Sequence, residues 1–400
     1  MPEAVIAATA RSPIVRENKG SLVECRPDDL AATIVRAVLA KVPQLDPELV
    51  EDVLLGCGEP AGEAGYNLAR VVALLAGLPN APGVTVNRYC SSSLQTIRMA
   101  FHAIKAGEGD VFVAAGVETV SRFSHGVADM GPHNLAFAKA EARTAERQQG
   151  ASSWEPPDGL SDIYIAMGQT AENVRLLENV SRLEMDEFAC LSQQRAVQSQ
   201  NDGFFAREIT PITTPSGTEV TKDDGPRPGT TVEILAGLQP VFRPDGQITA
   251  GNSCPLNDGA AAVVIMSDRK ARELGITPLA RIVASGVSAL NPEIMGLGPV
   301  EASRQALRRA GMTIDDIDLV EINEAFAAQV IPSARHLGVP WDKLNVNGGA
   351  IALGHPYGMT GARIMTTLLN GLQTAGKTLG LETMCVGGGQ GMAMIVERLN

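Results

Sequence analysis

Apolar and polar positions along the chain form two alternating patterns. Short apolar runs bounded by Gly, Pro, Asn or Asp are typical of strands, and stretches whose apolar positions repeat every three or four residues are typical of helices. The runs predict strands at Ala4–Ala8, Val53–Gly56, Val84–Val86, Val111–Ala115, Ala261–Met266, Ile282–Ser285, Leu319–Ile322, Thr383–Val386 and Met392–Val396. The helical stretches are Asp28–Lys41, Asn67–Ala76, Ser91–Ala106, Ala171–Leu177, Asp186–Ser199, Val300–Ala310, Ala325–Leu337 and Thr360–Ala375. Strands that alternate with helices in this way predict an α/β fold.

The stretch from Ser121 to Ile248 departs from this pattern. It is richer in Pro, Gly, Gln and charged residues, and its apolar runs are weak. We therefore predict that it is an excursion inserted between two α/β halves. The predicted first half comprises residues 1–120 together with 249–270, the insertion comprises residues 121–248, and the second half comprises residues 271–400.

The two predicted halves contain a similar succession of elements. Residues 84–116 give a strand (VTVN), a loop with Cys90, a helix, and a strand that ends at Gly116. Residues 344–387 give a strand (LNVN), a glycine-rich loop, a helix, and a strand that ends at Gly387. This correspondence predicts an internal duplication.

Composition and charge narrow the range of functions. The chain has 400 residues, of which 44% are hydrophobic and 20% charged, so it is typical of a globular protein of about two or three domains. Its 33 basic and 45 acidic residues give a formal net charge of −12, which argues against a nucleic-acid partner. No apolar run approaches the ~20 residues of a membrane span, and the N-terminal segment lacks a signal-peptide pattern. We therefore expect a cytoplasmic protein with no membrane partner.

Cysteines and glycines are distributed unevenly. The six cysteines stand far apart, at positions 25, 57, 90, 190, 254 and 385, with no C-x-x-C pair or Cys/His cluster. Neither a metal site nor a disulfide framework is expected from such spacing, so each cysteine is either buried filler or a nucleophile. Residues 348–391 hold twelve of the 41 glycines. Such clustering is typical of backbone that turns sharply or closely approaches a ligand.

Cys90 lies in VNRYCSSSLQ, at a turn between a predicted strand and the N-terminus of a predicted helix. The helix dipole and the free N–H groups of that terminus favour a thiolate, as expected for a nucleophile. The alternative is a small buried residue at a tight turn.

His355 lies in GGAIALGHPYGMTGAR, inside the glycine cluster. No apolar periodicity accounts for a histidine there, and the surrounding glycines allow the backbone to crowd around a ligand. Histidine is the natural general base near neutral pH. We therefore interpret His355 as a candidate catalytic base.

Two further residues complete the candidate chemistry. Cys385 ends an apolar strand and leads into Gly387–Gly389, whose backbone N–H groups are able to form an anion hole, although a buried strand cysteine is the alternative. Asn323 lies between a strand and a helix, either as an N-cap or as an amide that holds a water or a carbonyl. Cysteine, histidine and asparagine alone suggest a cysteine hydrolase. A second cysteine suits carbon–carbon bond chemistry on thioesters better, with one thiolate carrying the acyl group and the other thiol moving a proton.

Seven segments of the chain match a family pattern in order: NRYCSSSLQ, GQTAENV at 168–174, GNSCPLNDGAA at 251–261, MGLGPVEASRQAL at 295–307, NEAFA at 323–327, GGAIALGHPYGMTGAR at 348–363 and CVGGGQG at 385–391. Through them the chain resembles the thiolases over essentially its whole length. The resemblance implies two similar α/β halves in a five-layer α-β-α-β-α body with an inserted loop domain. It also implies a homo-dimer or homo-tetramer and a place in fatty-acid metabolism such as β-oxidation.

The resemblance implies a role for each candidate. Cys90 corresponds to the nucleophile that forms the acyl-enzyme, and His355 to the base that activates it. His355, with a water held by Asn323, corresponds to the oxyanion hole for the thioester enolate, and the N–H groups of Cys90 and Gly387 correspond to the second hole. Cys385 corresponds to the acid/base at carbon. The implied activity is thiolytic cleavage of a 3-oxoacyl-CoA by CoA to acetyl-CoA and a shortened acyl-CoA, or the reverse Claisen condensation.

CoA is implied as a substrate, with no tightly bound cofactor and no metal. The resemblance places it across the loop domain, where Arg227 corresponds to a basic position at the adenine nucleotide and Ser253 and Cys254 to the loop that meets pantetheine. Met167 and Met295 correspond to methionines that line the acyl and pantetheine tunnel. Judged as residues alone, such methionines are usually core filler and a lone arginine is usually solvated.

Three positions depart from the family pattern. Ser93 stands in place of a glycine and is expected to narrow the acyl pocket, and Cys254 stands in place of a serine that hydrogen-bonds pantetheine. Ala166 replaces a histidine of the short-chain biosynthetic thiolases, which leaves the acyl chain length open. Two alternatives to an active thiolase remain: a non-catalytic acyl-CoA-binding paralogue, and a ketoacyl-synthase-type condensing enzyme, although the latter generally lacks the second cysteine.

Overall fold

A computed structural model describes residues 2–150 and 153–400 of the chain. Its strands within those ranges are β1 (Ala4–Arg11), β2 (Val15–Arg16), β3 (Asp52–Gly56), β4 (Gly83–Val86), β5 (Val111–Thr119), β6 (Ile212–Thr213), β7 (Glu219–Val220), β8 (Asn257–Ser267), β9 (Ala280–Ala289), β10 (Leu319–Ile322), β11 (Leu379–Val386) and β12 (Gln390–Arg398). Its α-helices are α1 (Pro27–Ala40), α2 (Leu68–Leu75), α3 (Ser92–Ala106), α4 (Ala138–Arg147), α5 (Met167–Leu177), α6 (Arg182–Asn201), α7 (Val232–Ala236), α8 (Asp268–Glu273), α9 (Gly298–Ala310), α10 (Ala327–Leu337), α11 (Ala350–Leu353) and α12 (Thr360–Ala375).

The main strands and helices occur where the hydrophobic pattern predicts them, and one strand does not. At 344–347 the predicted strand is reduced to an isolated bridge between Leu344 and Val320. Asn345 adopts a left-handed φ of 43°, which ends the extended conformation. Its side chain instead accepts from the backbone N–H of Ile322 and donates to the carbonyl of the same residue. None of the helices in residues 2–150 and 153–400 is both long and apolar enough to cross a membrane.

The large sheet consists of two parts whose topology matches, except that the counterpart of β4 in the second part is reduced to the bridge at Leu344. Its strand order is β10-β11-β12-β9-β1-β8-β5-β3-β4, with β2 added to β8. In the first part β1, β8 and β5 are antiparallel neighbours and β5, β3 and β4 are parallel ones. In the second part β9, β12 and β11 are antiparallel, and β11 and β10 are parallel. A short antiparallel contact between β1 and β9 joins the two parts, so the architecture repeats as an internal duplication would.

Central strands are buried on both faces and thereby connect the layers. Along β8 alternate residues enter two different cores: Ala260, Ala262, Val264 and Met266 pack with α1 and α2, and Ala261, Val263 and Ile265 pack with α3 and α12. Because successive side chains of a strand point to opposite faces, one strand supplies both cores. β12 divides in the same way between the central core and the core with α9 and α10. The result is five layers: α1 and α2, the first sheet part, α3 and α12, the second sheet part, and α9 and α10.

A buried ion pair network fixes the segment between β5 and β8 to the first sheet part. Arg11, the last residue of β1, is fully buried. Its Nε donates to Glu208 at 2.8 Å, and its two terminal nitrogens donate to the two oxygens of Asp223 at 2.8 and 2.9 Å. Loss of either acid would leave a buried charge incompletely paired, which costs far more than loss of a surface pair. The network therefore holds the excursion against the first sheet part.

Candidate active site

Cys90 lies in a single 3₁₀ turn, Tyr89–Ser91, between β4 and α3. Tyr89 has a left-handed φ of 43°, so the chain reverses sharply just before the cysteine. The Cys90 side chain is buried, and the backbone N–H groups of Cys90 itself and of Gly387, which follows β11, lie near enough to its sulfur to lower its pKa. This turn therefore brings the loop after β4 against the loop after β11.

The resting Cys90 thiol is protonated. Burial raises its pKa to about 11, although the N–H groups of Gly387 and Cys90 act in the opposite direction. The backbone N–H groups thus favour the thiolate, as the sequence suggests, but removal of the charge from water outweighs them in the resting protein. A base must take the proton as the sulfur reacts.

His355 is held in one tautomer by its neighbours. Its Nδ1 lies 2.7 Å from the hydroxyl oxygen of Thr360, and that hydroxyl donates to the Pro356 carbonyl at 2.8 Å. Because a hydroxyl has one proton to donate, Nδ1 must be the donor to Thr360, and Nε2 is left unprotonated. The backbone N–H of His355 donates to Asn257 at 3.1 Å, which fixes the loop.

The His355 ring is neutral and faces an amide. Burial, together with the positive charge of Arg363, lowers its pKa to about 3. The amide nitrogen of Asn323 lies 3.3 Å from Nε2, and the amide oxygen has no hydrogen-bond partner among the described residues. α10 begins only at Ala327, so the N-cap interpretation of Asn323 is wrong. An unprotonated nitrogen and an amide with spare hydrogen-bonding capacity thus lie side by side.

Three thiols lie close together at this site. Cys385 is fully buried on β11, and burial, followed by the sulfurs of Cys90 and Cys254, raises its pKa far above that of a free cysteine. Cys254 is half-buried, and burial and then the Cys90 sulfur raise its pKa as well. All three are protonated at neutral pH. Cys385 is therefore able to donate a proton but is a weak nucleophile.

A cavity of about 450 Å³ connects the nucleophile to the surface. Its volume lies within the usual range of small-molecule sites. Cys90, Gly387 and Gly388 contribute to its lining, together with Tyr357, whose ring packs edge-on against His355 at 5.3 Å between centroids. The cavity thus brings the Cys90 sulfur and the loop after β11 to one space, whereas His355, Asn323 and Cys385 are not among the residues that line it.

Known proteins share this arrangement of segments. Residues 4–269 match the family model of the thiolase N-terminal domain, and residues 276–398 match that of the thiolase C-terminal domain. The chain belongs to the thiolase family. It is therefore an acyltransferase with the five-layer thiolase fold.

Individual relatives agree with this assignment. The chain is 46% identical to the 3-oxoadipyl-CoA/3-oxo-5,6-dehydrosuberyl-CoA thiolase of Escherichia coli and 45% identical to a 3-ketoacyl-CoA thiolase of Aeromonas hydrophila, in both cases over 100% of each chain. The crystal structure of the Bacillus anthracis acetyl-CoA acetyltransferase matches with a TM-score of 0.85 at 38% identity, covering 100% of this chain and 99% of that one. These similarities favour an active thiolase over a binding paralogue or a ketoacyl synthase.

The two methionines suggested by the thiolase resemblance lie in different surroundings. Met167, the first residue of α5, lines the cavity. Met295 is fully buried in the core with α9 and α10 and is not among the residues that line the cavity. Only the first of them is thus in a position to touch an acyl group in this structure.

The three polar CoA candidates also differ. Cys254 lies near enough to Cys90 for that sulfur to raise its pKa. The Ser253 hydroxyl donates its hydrogen bond to the Thr249 carbonyl at 2.6 Å, so its proton is already used within the loop. Arg227 is exposed before α7, and its guanidinium makes no hydrogen bond within residues 2–150 and 153–400. Of the three, Arg227 has its side chain free for a ligand.

Ser93 does not narrow the cavity, contrary to the sequence expectation. It is fully buried, and its hydroxyl accepts the backbone N–H of Ala362 at 2.9 Å. Ala362 lies in the first turn of α12, where N–H groups lack partners within the helix. The serine therefore joins α3 to α12 and is absent from the cavity lining.

Glu324 anchors the glycine-rich loop and was missed by the sequence interpretation. Its carboxylate accepts hydrogen bonds from Ser192 at 2.6 Å, Asn345 at 2.8 Å and the Ile351 N–H at 3.1 Å. A Cβ at Gly349 would lie 2.2 Å from its carboxyl carbon, so glycine is required there. Glu324 lies within the NEAFA segment, and that motif is the sequence signal by which it could have been found.

Glu118, at the end of β5, is the second missed residue. Its carboxylate accepts backbone N–H groups from Gly58, Glu59 and Gly358 at 2.7, 3.1 and 2.9 Å. Burial raises its pKa to about 7 despite these hydrogen bonds. It thereby ties the turn after His355 to the loop after β3.

Proposed function

We propose that this thiolase cleaves 3-oxoacyl-CoA thioesters with CoA, giving acetyl-CoA and a shortened acyl-CoA, and that Cys90 carries the acyl group. The same steps in reverse form a carbon–carbon bond by Claisen condensation. The observation that supports this most directly is the cavity that reaches Cys90 beside the backbone N–H of Gly387.

In the first step the Cys90 sulfur attacks the 3-oxo carbonyl, and Nε2 of His355 takes the thiol proton. A protonated thiol and an unprotonated Nε2 in the resting site support this transfer. The N–H groups of Cys90 and Gly387 then donate to the new oxyanion. A preorganised donor of this kind contributes about 3 kcal/mol to the transition state.

In the second step the carbon–carbon bond breaks and its electron pair forms the enolate of acetyl-CoA. His355, now protonated on Nε2, and the nearby amide of Asn323 donate hydrogen bonds to the enolate oxygen, directly or through a water. Uptake of the thiol proton thus converts Nε2 from an acceptor into a donor when negative charge develops. Cys385 gives its proton to the enolate carbon, in keeping with its raised pKa.

In the third step CoA releases the acyl group. Its thiol gives a proton to Cys385 and attacks the thioester on Cys90, and the departing Cys90 sulfur recovers its proton from His355. The free guanidinium of Arg227 would bind the nucleotide end of CoA. Arg227 thereby supplies local positive charge in a chain of net charge −12. Assembly as a homo-dimer or homo-tetramer, a role in β-oxidation and a cytoplasmic location stay predictions.

Thiolysis of straight-chain 3-oxoacyl-CoA substrates tests the proposal. The reaction is monitored through the loss of the absorbance of these substrates. We expect turnover by the wild type and by Cys190→Ala, a matched control on α6 whose sulfur contacts the Thr230 carbonyl. Cys90→Ala should lose turnover by about 1,000-fold or more. Wild-type turnover in Cys90→Ala, or no turnover on any chain length by a protein that still binds acyl-CoA, would contradict it.

A further inference from the structure

Two carboxyl side chains, Glu59 and Asp129, line the cavity that reaches Cys90. Glu59 is nine-tenths buried, and its Oε2 accepts the backbone N–H groups of Ala128 and Asp129 at 2.8 and 2.9 Å. Those two bonds use a single oxygen of the carboxylate. The Asp129 carboxylate, which is exposed, accepts the Tyr89 hydroxyl at 3.4 Å.

The Glu59 and Asp129 carboxylates together offer more acceptor positions than the three donors that reach them. Burial raises the pKa of Glu59, and the charge of the neighbouring Asp129 carboxyl adds to the rise. The Tyr89 hydroxyl can donate one hydrogen bond, and it donates it to Asp129. Oε1 of Glu59 and Oδ2 of Asp129 accept no hydrogen bond from the described residues. Such a surface favours a ligand group that donates a hydrogen bond.

No lysine or arginine among the described residues lines this cavity. His133 does line it, but its Nδ1 lies 2.9 Å from the carboxylate of Glu141. Arg88, although adjacent to Tyr89 in sequence, donates to Gln390 at 2.9 Å. An acyl tail that ends in a carboxylate would therefore meet two acids and no lysine or arginine of the described residues. Like charges brought together in a partly dry site repel strongly.

We propose, resting on the function proposed above, that the cavity selects 3-oxoacyl-CoA thioesters whose acyl tail carries a hydroxyl group and no negative charge. The hydroxyl donates to Asp129 or Glu59, and the carbon chain packs on Ile163, Ile165 and Met167, which line the same space. Tails that end in a carboxylate are rejected. The Escherichia coli relative is named for 3-oxoadipyl-CoA, whose acyl group ends in a carboxylate, so the two proteins differ in substrate class.

Three thioesters of equal chain length test this selection: 3-oxohexanoyl-CoA, 6-hydroxy-3-oxohexanoyl-CoA and 3-oxoadipyl-CoA. We expect the hydroxylated compound to have the highest kcat/KM and 3-oxoadipyl-CoA to fall about 10- to 100-fold below the unsubstituted one. A kcat/KM for 3-oxoadipyl-CoA equal to or above that of 3-oxohexanoyl-CoA overturns the inference and leaves the thiolase function intact. No turnover on all three compounds contradicts the proposed function itself.

Variants at Asp129 assign the effect to its charge. Asp129→Asn should reduce the discrimination against 3-oxoadipyl-CoA about tenfold, and Asp129→Arg should reverse the preference. Asp158→Asn is the matched control, because it removes an exposed acid of the same excursion that does not line the cavity. Unchanged selectivity in Asp129→Arg, or an equal change in Asp158→Asn, would also overturn the inference.

Discussion

Thr360 determines which nitrogen of His355 carries the proton, and Thr360→Val tests that role. Valine has nearly the same shape but no hydroxyl, so the buried Nδ1–H, now 2.7 Å from the Thr360 oxygen, would lose its acceptor. A buried donor without a partner costs about 1–3 kcal/mol. This cost destabilises the His355 tautomer in which Nδ1 is protonated and Nε2 is able to accept the thiol proton. At about 1.4 kcal/mol per factor of ten, kcat/KM should fall roughly 5- to 150-fold.

Steady-state thiolysis provides the assay, and two further variants provide the controls. Thr360→Ser keeps the hydroxyl and should recover most of the activity. Thr366→Val is matched in position and chemistry, since Thr366 is buried on the same helix and donates to the Ala362 carbonyl at 2.8 Å. It loses the same kind of bond to the helix backbone, without contact to the histidine, and should keep wild-type kcat/KM.

Two results would refute this reasoning. One is a kcat/KM for Thr360→Val within about twofold of wild type. The other is an equal loss in Thr366→Val, which would assign the effect to helix stability and not to the histidine tautomer.

Burial and hydrogen bonding predict three more outcomes. Alkylation of Cys90 by iodoacetamide should still accelerate above about pH 9, because the thiol stays protonated below its pKa of about 11; a plateau below neutral pH would contradict this. Ser93→Ala should lower the free energy of unfolding in urea by about 1 kcal/mol with kcat unchanged, since one N–H of α12 loses its acceptor; an altered kcat would return the residue to the acyl pocket. Asp223→Ala should cost about 3–5 kcal/mol of unfolding free energy, because Arg11 is left buried and incompletely paired. A cost as small as that of Glu301→Ala, which removes an exposed pair, would show that the buried network is not needed.

The long strands and helices could be predicted because their apolar positions mark the faces that they bury. β8 is apolar over most of its length since it serves two cores. The start of α6 could also have been found: the prediction began at Asp186, but Ser181 and Glu184 form a capping box that starts the helix at Arg182. The strand at 344–347 was not predictable from apolar residues, because the conformation of Asn345 decides it.

The site was predictable where residue type alone is informative. Cys90, His355 and Cys385 stood out as reactive residues near glycine-rich turns. Glu118 and Glu324 did not, because each acts by accepting hydrogen bonds from loops that are distant in sequence. The protonation state of Cys90 was also beyond the sequence, since it depends on how much water the folded chain excludes from the sulfur.

A trapped acyl-enzyme tests the central claim most directly. The protein is incubated with acetyl-CoA alone, quenched in acid, and examined by intact mass and peptide mapping. The account predicts one acetyl group on the peptide that contains Cys90, lost in Cys90→Ser and kept in Cys190→Ala. An acetyl group on another cysteine, or an unmodified Cys90 in a protein that turns over 3-oxoacyl-CoA, would contradict it.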